Sequence, residues 1–249
     1  MAGHNKWSKV KHIKAVVDAK RGKVFSKLSK ELTLAAKHGG SNPEMNARLR
    51  TAVLNARAVN MPADNIERAI KKGAGELEGA NIEELVYEGY GPSGVAMLIE
   101  VVTDNRNRSI NDLRIIFSKN GGNMAESGSV AYLFSRRGEI RLDKASLSED
   151  QAMELALEAG ADDVQAEGDD WVIYTAQDQL FAISAALHAK NVHPKSQQLV
   201  YLPSTTIPVD DTSTAKTLLK LYDALDDYDD TQNVHANFEL TDEVMSTLS

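Results

Sequence analysis

The spacing of apolar residues changes at about residue 82, and this change constrains the fold more than any single motif. Before it, apolar residues recur at helical spacing, as Val24, Leu28, Leu32 and Ala35 do. After it, short apolar runs with the two-residue period of strands alternate with helical stretches. The chain is therefore predicted to be an α+β protein that begins with a small helical domain.

The order of elements in the second part predicts two ferredoxin-like α/β domains, one inserted in the other. A complete β-α-β-β-α-β set, which is the ferredoxin-like order, is predicted at 139–142, 148–159, 164–167, 171–174, 177–189 and 197–202. The elements of an interrupted set lie on both sides of it, at 95–102, 107–120, 129–134, 207–209, 213–225 and 234–240. In the strand at 129–134, alternation places Val130, Tyr132 and Phe134 on one face, where we expect a core.

These elements define the predicted domains. We expect a basic helical domain at 1–75, a discontinuous ferredoxin-like domain at 83–134 plus 204–249, and an inserted ferredoxin-like domain at 135–203.

Within the helical domain, capping signals divide three helices. The second helix is predicted to start with an N-cap in 41–44, and Asp64 is predicted to cap the third. The residues of the second helix that are expected to face inward are Leu49, Ala52, Val53 and Ala56.

The charges of the chain are segregated. The net charge of the whole chain is −8, but residues 1–72 contain 16 Lys and Arg against 5 Asp and Glu, a net charge of +11. The remaining residues have a net charge of −19. A basic head on an acidic body indicates an anionic partner for the head, and nucleic acid is the partner that this pattern favours.

The predicted nucleic-acid-binding surface is a set of residues within the first 40. Five of its lysines share an arc of roughly 100° on the longest helix, opposite the apolar stripe. The candidate binding residues are Lys6, Trp7, Lys9, Lys11, Lys14, Lys20, Arg21, Lys23, Lys27, Lys30 and Lys37. Each phosphate that such a cation neutralises releases condensed counterions. The alternative for the lysines is a solvated helix face, and Trp7 either stacks on an unpaired base or packs in its own domain.

The short break before the third helix is similar to a helix-turn-helix. That motif would place Arg68, Lys71 and Lys72 in a DNA groove. The turn has no glycine, however, and the helix carries no array of base-reading side chains, so sequence-specific DNA readout is permitted rather than supported.

Three polar segments of the acidic part have competing interpretations. The segment 104–108 offers either helix N-terminal amides and two guanidinium groups to an anion, or an Asx cap. The segment 89–94 spells G-x-G-x-x-G, but it precedes a strand and contains a proline, so we interpret it as a turn. The third segment is a cluster of acids that either binds a cation or a basic protein, or forms a solvated turn after a helix. We favour the solvated turn. The cluster consists of Asp226, Asp227, Asp229 and Asp230.

The sequence predicts no catalytic residue, cofactor site or metal site. The absence of cysteine excludes disulfides, thiolate ligands and cysteine nucleophiles. His188 and His193 have no neighbouring third ligand, and no nucleotide-binding or hydrolase motif occurs. Without such residues and motifs, we expect that the protein is not an enzyme. Since there is neither an apolar signal segment nor a run of about 18 apolar residues, we expect a cytoplasmic protein with no membrane partner.

Several strings identify a family. They are GHNKW at 3–7, DAKRGK at 18–23, NMP at 60–62, YEGYGP at 87–92, DNRNR at 104–108, GSVAYLF at 128–134 and NF at 237–238. Through them the chain resembles the YebC/PmpR family along its whole length. It departs from the family pattern at Asn5, where serine is usual, and at Ser93, where glycine is frequent.

The resemblance implies a three-domain fold and a regulatory role. That role is commonly described as DNA-binding transcriptional regulation, whereas mitochondrial relatives resemble translational activators and some bacterial members are linked to the translating ribosome. We therefore expect a transcriptional regulator that binds DNA through the basic surface. The alternative is a ribosome-associated translation factor that binds ribosomal or transfer RNA through the same surface, while the acidic domains contact protein partners.

Overall fold

The computed structural model describes residues 17–79 and 81–248, with side chains from Arg21 onward. The chain is an α+β protein in which a helical region precedes two ferredoxin-like domains, one inserted in the other. The described residues form two compact units, 18–79 with 136–200 and 81–135 with 201–248. Within these residues, no helix combines the length and the apolar character needed to span a bilayer.

The described part of the helical region consists of three helices around one apolar core. They are α1 (Val17–Gly39), α2 (Ala47–Ala58) and α3 (Ala63–Gly73). The predicted inward residues of α2 are all buried, and they pack with Leu32, Ala35, Ile66 and Ala69. The expected cap by Asp64 is wrong, because α3 begins after Pro62 without a side-chain cap and Asp64 lies in its first turn.

The N-cap of α2 is Asn46, so the cap predicted within 41–44 is also wrong. Its Oδ1 atom accepts a hydrogen bond from the Leu49 N–H at 3.1 Å. Its Nδ2 atom donates to the carbonyl oxygens of Ala35 at 2.7 Å and Gly40 at 2.8 Å. One buried side chain thereby satisfies backbone groups at the end of α1 and the start of α2, which fixes the angle between them.

The inserted domain has the predicted ferredoxin-like order. Its elements are β4 (Phe134–Asp143), α5 (Glu149–Ala159), β5 (Asp163–Glu167), β6 (Asp170–Ala176), α6 (Leu180–Ala189) and β7 (Ser196–Pro203). The strands form one sheet in the order β5-β6-β4-β7, and β6 is antiparallel to both of its neighbours. One face carries the core with the two helices, which includes Ile140, Leu142, Trp171, Ile173 and Leu187.

The other domain is a ferredoxin-like sheet with an additional small sheet. Its elements are β1 (Glu83–Tyr90), β2 (Ala96–Thr103), α4 (Arg106–Lys119), β3 (Asn123–Ala125), β8 (Ile207–Val209), α7 (Thr212–Asp227), β9 (Thr231–Ala236), β10 (Phe238–Leu240) and α8 (Asp242–Leu248). The main sheet has the order β3-β1-β2-β9, with antiparallel neighbours throughout. The helices α4 and α7 pack on one face through a core that includes Leu113, Phe117, Leu218 and Leu221.

Two strands predicted for this domain are wrong in detail. The segment 129–134 contains a 3₁₀ turn at Ala131–Leu133, and the edge of the sheet is formed by the short strand β3. The inner strand β1 was not predicted from the apolar pattern. The strand expected at 234–240 is divided into β9 and β10, and β10 pairs in parallel with β8 in a separate two-stranded sheet.

Candidate nucleic-acid interface

The lysine face of α1 is exposed mainly at its ends. Of the predicted binding residues, Lys6, Trp7, Lys9, Lys11 and Lys14 and the side chain of Lys20 lie outside the described part. Arg21 and Lys37 are exposed, whereas Lys23, Lys27 and Lys30 are half-buried. The described cations therefore do not form one continuous solvated ridge.

A leucine interrupts the same face. Leu34 follows Lys30 by four residues and Lys27 by seven, so it lies on the lysine side of α1, yet it is fully buried. The middle of this face is thus packed.

Two acids of the helical region are paired with its cations. Glu31 of α1 accepts two hydrogen bonds from Arg48 of α2, at 2.8 and 2.9 Å, and Glu67 forms an ion pair with Lys71 at 2.6 Å. These pairs neutralise two of the four acids found between residues 21 and 72, where there are eleven Lys and Arg. Each pair also engages one cation, so residues 21–72 keep a net charge of +7.

Further exposed cations lie on α2 and α3, beyond the residues that the sequence singled out. Arg50 and Arg57 are exposed and lie about 20° apart around α2, while Asn55 lies about 140° to 160° away from them. Asn55 of α2 bonds to the inserted domain. The two arginines therefore project from a flank that this contact leaves uncovered.

On α3, the three cations of the suggested helix-turn-helix differ in their surroundings. Arg68 and Lys72 are exposed, and Lys71 is half-buried and paired with Glu67. The other exposed residues of α3 are Ala63, Asp64, Asn65 and Glu67. They do not form a row of Asn, Gln and Arg side chains of the kind that reads base edges. This surface is suited to contacts with phosphates.

The segment 104–108 is a helix cap, not an anion site. Asn105 Oδ1 accepts from the Arg108 N–H at 3.0 Å and so caps α4. The Arg108 guanidinium donates to Asp104 at 2.9 Å and to Asp230 at 2.8 Å. The hydrogen bond to Asp230 is the main cause that raises the pKa of Arg108 above its ordinary value. Its charge is thus engaged by carboxylates.

Asp230 corrects our interpretation of the acidic cluster as a solvated turn. Only 7% of Asp230 is exposed. Its Oδ2 atom accepts hydrogen bonds from the hydroxyl groups of Thr103 and Ser109, both at 2.9 Å, in addition to the bond from Arg108. This carboxylate is a structural anchor between β9, β2 and α4, and sequence reasoning missed it because a run of acids at a helix end resembles a solvated surface.

A second buried carboxylate that the sequence did not indicate is Glu100 on β2. Its Oε2 atom lies 3.0 Å from His235 Nε2 and accepts from Asn233 Nδ2 at 2.9 Å, and both partners come from β9. In the inserted sheet, Arg141 similarly bonds to the buried acids Glu139 and Glu167. These polar networks connect side chains within each sheet.

His188 and His193 contact each other through their rings. Their Nδ1 atoms are 3.2 Å apart, and burial, together with the neighbouring His193, lowers the pKa of His188. Across residues 17–79 and 81–248, no group of three or more His, Asp or Glu side chains has an arrangement suited to a metal ion.

The segment 89–94 lies at the end of β1 and in the turn that follows, in agreement with its interpretation as a turn. A Cβ atom on Gly89 would come within 2.5 Å of the Phe117 ring, so the glycine permits close packing of β1 on α4. Ser93 has a φ of 59°, in the left-handed region. Glycine adopts this conformation readily, which explains why it is frequent in the family at position 93, where this chain has serine.

Two protein-family models match successive parts of the chain. A family model described as TACO1/YebC protein N-terminal domain matches residues 5–76, and one described as TACO1/YebC second and third domain matches residues 82–238.

Similar proteins match over the full length. Proteins named probable transcriptional regulatory protein from Akkermansia muciniphila and Syntrophobacter fumaroxidans are 53% and 51% identical, and each alignment covers 100% of both chains. The crystal structure of a conserved hypothetical protein from Aquifex aeolicus matches with a TM-score of 0.88 and 47% identity, over 93% of this chain and 96% of that one. The chain therefore belongs to the TACO1/YebC family.

Proposed function

We propose that this protein is a cytoplasmic, DNA-binding transcriptional regulator, not an enzyme, and that its helical region binds the phosphate backbone. The observation that carries the proposal is the charge of that region. Eleven Lys and Arg stand against four acids between residues 21 and 72, and two of those acids are already paired. Relatives of about 50% identity named probable transcriptional regulatory protein support the same role.

The proposed contacts combine the predicted residues with the exposed arginines of α2. Arg21 and Lys37 are the exposed described cations of α1, and Arg50 and Arg57 add a second row. The basic stretch from Lys6 to Lys20, with Trp7, extends the same charge toward the N-terminus. The acidic domains repel phosphate, so in this proposal they orient the bound chain or contact protein partners.

A second candidate is a translation factor that binds ribosomal or transfer RNA through the same cations. It is favoured by the exposed surface of α3, which offers Arg68 and Lys72 but no array for reading base edges. Binding of this kind follows the shape and phosphates of a folded RNA rather than an operator sequence.

The two candidates are separated by competition between duplex DNA and intact ribosomes at two salt concentrations near physiological ionic strength. A transcriptional regulator prefers its DNA site over random duplex by roughly 10³ or more, and the preference survives the higher salt. A collapse of DNA binding while ribosome binding persists contradicts transcriptional control, because the DNA affinity would then be counterion release alone.

The surface itself is tested by Arg21→Gln with Lys37→Gln, which removes two exposed charges from α1. We expect weaker DNA binding, and a log-log salt dependence whose slope falls by about 0.9 for each phosphate that is no longer neutralised. The matched control is Lys216→Gln with Lys220→Gln, which removes two exposed charges from α7. Equal affinity of both double variants and the wild type would exclude Arg21 and Lys37 as DNA contacts.

A further inference from the structure

Tyr132 is an exposed aromatic side chain held between buried neighbours. It exposes 75% of its surface, whereas Val130 is fully buried and Phe134 exposes only 8%. The 3₁₀ turn at Ala131–Leu133 rotates Tyr132 away from the face where strand alternation would have placed it. We call residues 126–134 the Tyr132 loop.

The Tyr132 loop is held from inside by a carboxylate of β1. Glu88, which is only 5% exposed, accepts hydrogen bonds from the backbone N–H groups of Gly128 at 2.6 Å, Val130 at 2.6 Å and Ala131 at 3.0 Å. Successive N–H groups that converge on one anion form a nest, and here the anion is supplied by the protein itself. The backbone on both sides of Ala131 is thereby fixed to the sheet.

Additional bonds fix both ends of the loop. The hydroxyl group of Tyr90 donates to the Ser129 carbonyl at 3.1 Å, and the Ser204 N–H donates to the Leu133 carbonyl at 2.7 Å. Gly128 has a φ of 88°, a conformation that a residue with a Cβ atom rarely adopts. The exposed tyrosine therefore stands on backbone with little freedom to move.

A rigid, exposed tyrosine has the physical properties of a binding anchor. Its backbone is ordered before any partner arrives, so association costs little further conformational entropy. Tyrosine also combines a large apolar surface with a polar tip, which is why it is enriched among the residues that dominate protein interfaces. Tyr132 itself contributes little to the core. The buried Glu88 therefore orders a loop whose exposed side chain is not needed for packing.

The local charge selects the kind of partner. The Tyr132 loop contains the exposed Glu126 and no Lys or Arg. Arg136 and Arg137 follow it in the chain, and Arg137 is paired with Asp162 at 2.7 Å. Residues 81–135 with 201–248 contain 17 acids against 6 Lys and Arg. Such a surface repels phosphates and attracts cations. Among cationic side chains, the arginine guanidinium stacks on an aromatic face as well as pairing with carboxylates.

We propose that the Tyr132 loop is a docking site for an arginine-rich segment of a partner protein, in which a guanidinium group stacks on Tyr132. This site is built from residues outside the helical region, so it does not require the proposed nucleic-acid interface.

The test measures binding of a fluorescent peptide with four Arg-Gly-Gly repeats to the full chain at physiological ionic strength. We expect Tyr132→Ala to weaken binding about fivefold or more, and Tyr132→Phe to retain it, because the phenyl ring still stacks. The matched control is Ile115→Ala, which trims an exposed apolar side chain of the same unit and should change nothing. A peptide with Lys in place of Arg should bind the wild type more weakly than the Arg peptide does. Its affinity should be the same for the wild type and for Tyr132→Ala.

Two results would overturn the proposal. The first is equal binding of the Arg-Gly-Gly peptide to the wild type and to Tyr132→Ala, which would mean that the acidic surface alone holds it. The second is a loss of binding to a single-stranded oligouridine in Tyr132→Ala, which would make the loop a nucleic-acid contact. The Arg21→Gln and Lys37→Gln variant should bind the peptide normally, so a failure of the proposed function would leave this result intact.

Discussion

The side-chain amide of Asn55 pairs with the backbone of Gln197 in both directions. Asn55 Nδ2 donates to the Gln197 carbonyl at 2.8 Å, and Asn55 Oδ1 accepts from the Gln197 N–H at 3.3 Å. Gln197 lies on β7, an edge strand of the inserted sheet, whose outer backbone groups have no further strand to pair with. A helix of the N-terminal region therefore supplies the hydrogen bonds that a fifth strand would have made.

Replacement of Asn55 by alanine should destabilise the unit formed by residues 18–79 and 136–200. Both backbone groups of Gln197, a residue that is 2% exposed, would lose their partner, at a cost of about 1 to 3 kcal/mol in the free energy of unfolding. Urea unfolding measures the loss, and hydrogen exchange of the Gln197 amide should become faster. The control is Asn65→Ala on the exposed side of α3. If it lowers the free energy of unfolding as much as Asn55→Ala does, the pairing of Asn55 with Gln197 does not stabilise the unit.

Replacement of Asp230 by asparagine should destabilise the other unit. The change keeps the shape of the side chain but removes the charge that accepts hydrogen bonds from Thr103, Ser109 and Arg108. Loss of hydrogen bonds to a charged group should lower the free energy of unfolding by about 1.5 to 3 kcal/mol. Thermal or urea unfolding checks the value. The exposed Asp210→Asn should stay within about 0.5 kcal/mol of the wild type, and a similar small effect at Asp230 would contradict its role as an anchor.

Glu88 makes stability depend on pH in the acid range. Burial acts to raise the pKa of Glu88, but hydrogen bonds from the N–H groups of Val130, Gly128 and Ala131 outweigh it and hold this pKa below its ordinary value of 4.5. A carboxyl whose pKa is lower in the folded state stabilises the fold above its unfolded pKa, and this contribution is lost as the pH falls through the folded pKa. The stabilisation is therefore fully present at pH 7 and declines below about pH 4.5.

We accordingly expect Glu88→Gln to be less stable than the wild type at pH 7, and the difference to shrink as the pH is lowered below 4.5. Urea unfolding at pH 7 and at pH 4 and below measures both values. Glu126→Gln, on the exposed start of the same loop, should show no such trend. A difference between Glu88→Gln and the wild type that is constant with pH would mean that the charge of Glu88 is not what holds the loop.

The helical core and the inserted domain were predictable because their signals are local. In α2, Leu49, Ala52 and Val53 follow the helical period, and all are buried as predicted. The inserted domain runs through its six elements without interruption, and Ser148 with Gln151 forms a capping box that marks the start of α5. Each of these signals depends on residues a few positions apart, so the sequence contains them in full.

The errors arose where residues distant in the sequence decide the local conformation. The strand β1 contains Glu83, Glu84 and Glu88 and does not look like a sheet strand, yet Glu88 is buried because N–H groups some 40 residues later bind its carboxylate. Two of these bonds come from Val130 and Ala131, at the start of the 3₁₀ turn that replaces the strand expected around Tyr132. The burial of Glu88 and the 3₁₀ turn can be predicted only when β1 and residues 128–131 are considered together.

The candidate interface follows the same division. The segregation of charge, and the lysine spacing on α1, can be read directly from the chain. The exposure of each side chain cannot be read from the chain in this way. Leu34 is buried within the lysine arc, and Arg50 and Arg57 are exposed on a different helix. Burial depends on which helix faces are covered, and this is a property of the packed structure.

The sequence alone determined the α+β class, the order of the inserted domain and the separation of a basic head from an acidic body. These features follow from periodicity and composition, which act over a few residues or over the whole chain without regard to contacts. The tertiary structure decided which charged groups are buried and which aromatic group is exposed. The reason is that the cost of burying Glu88 or Asp230 is offset only by hydrogen-bond donors that folding brings from distant segments.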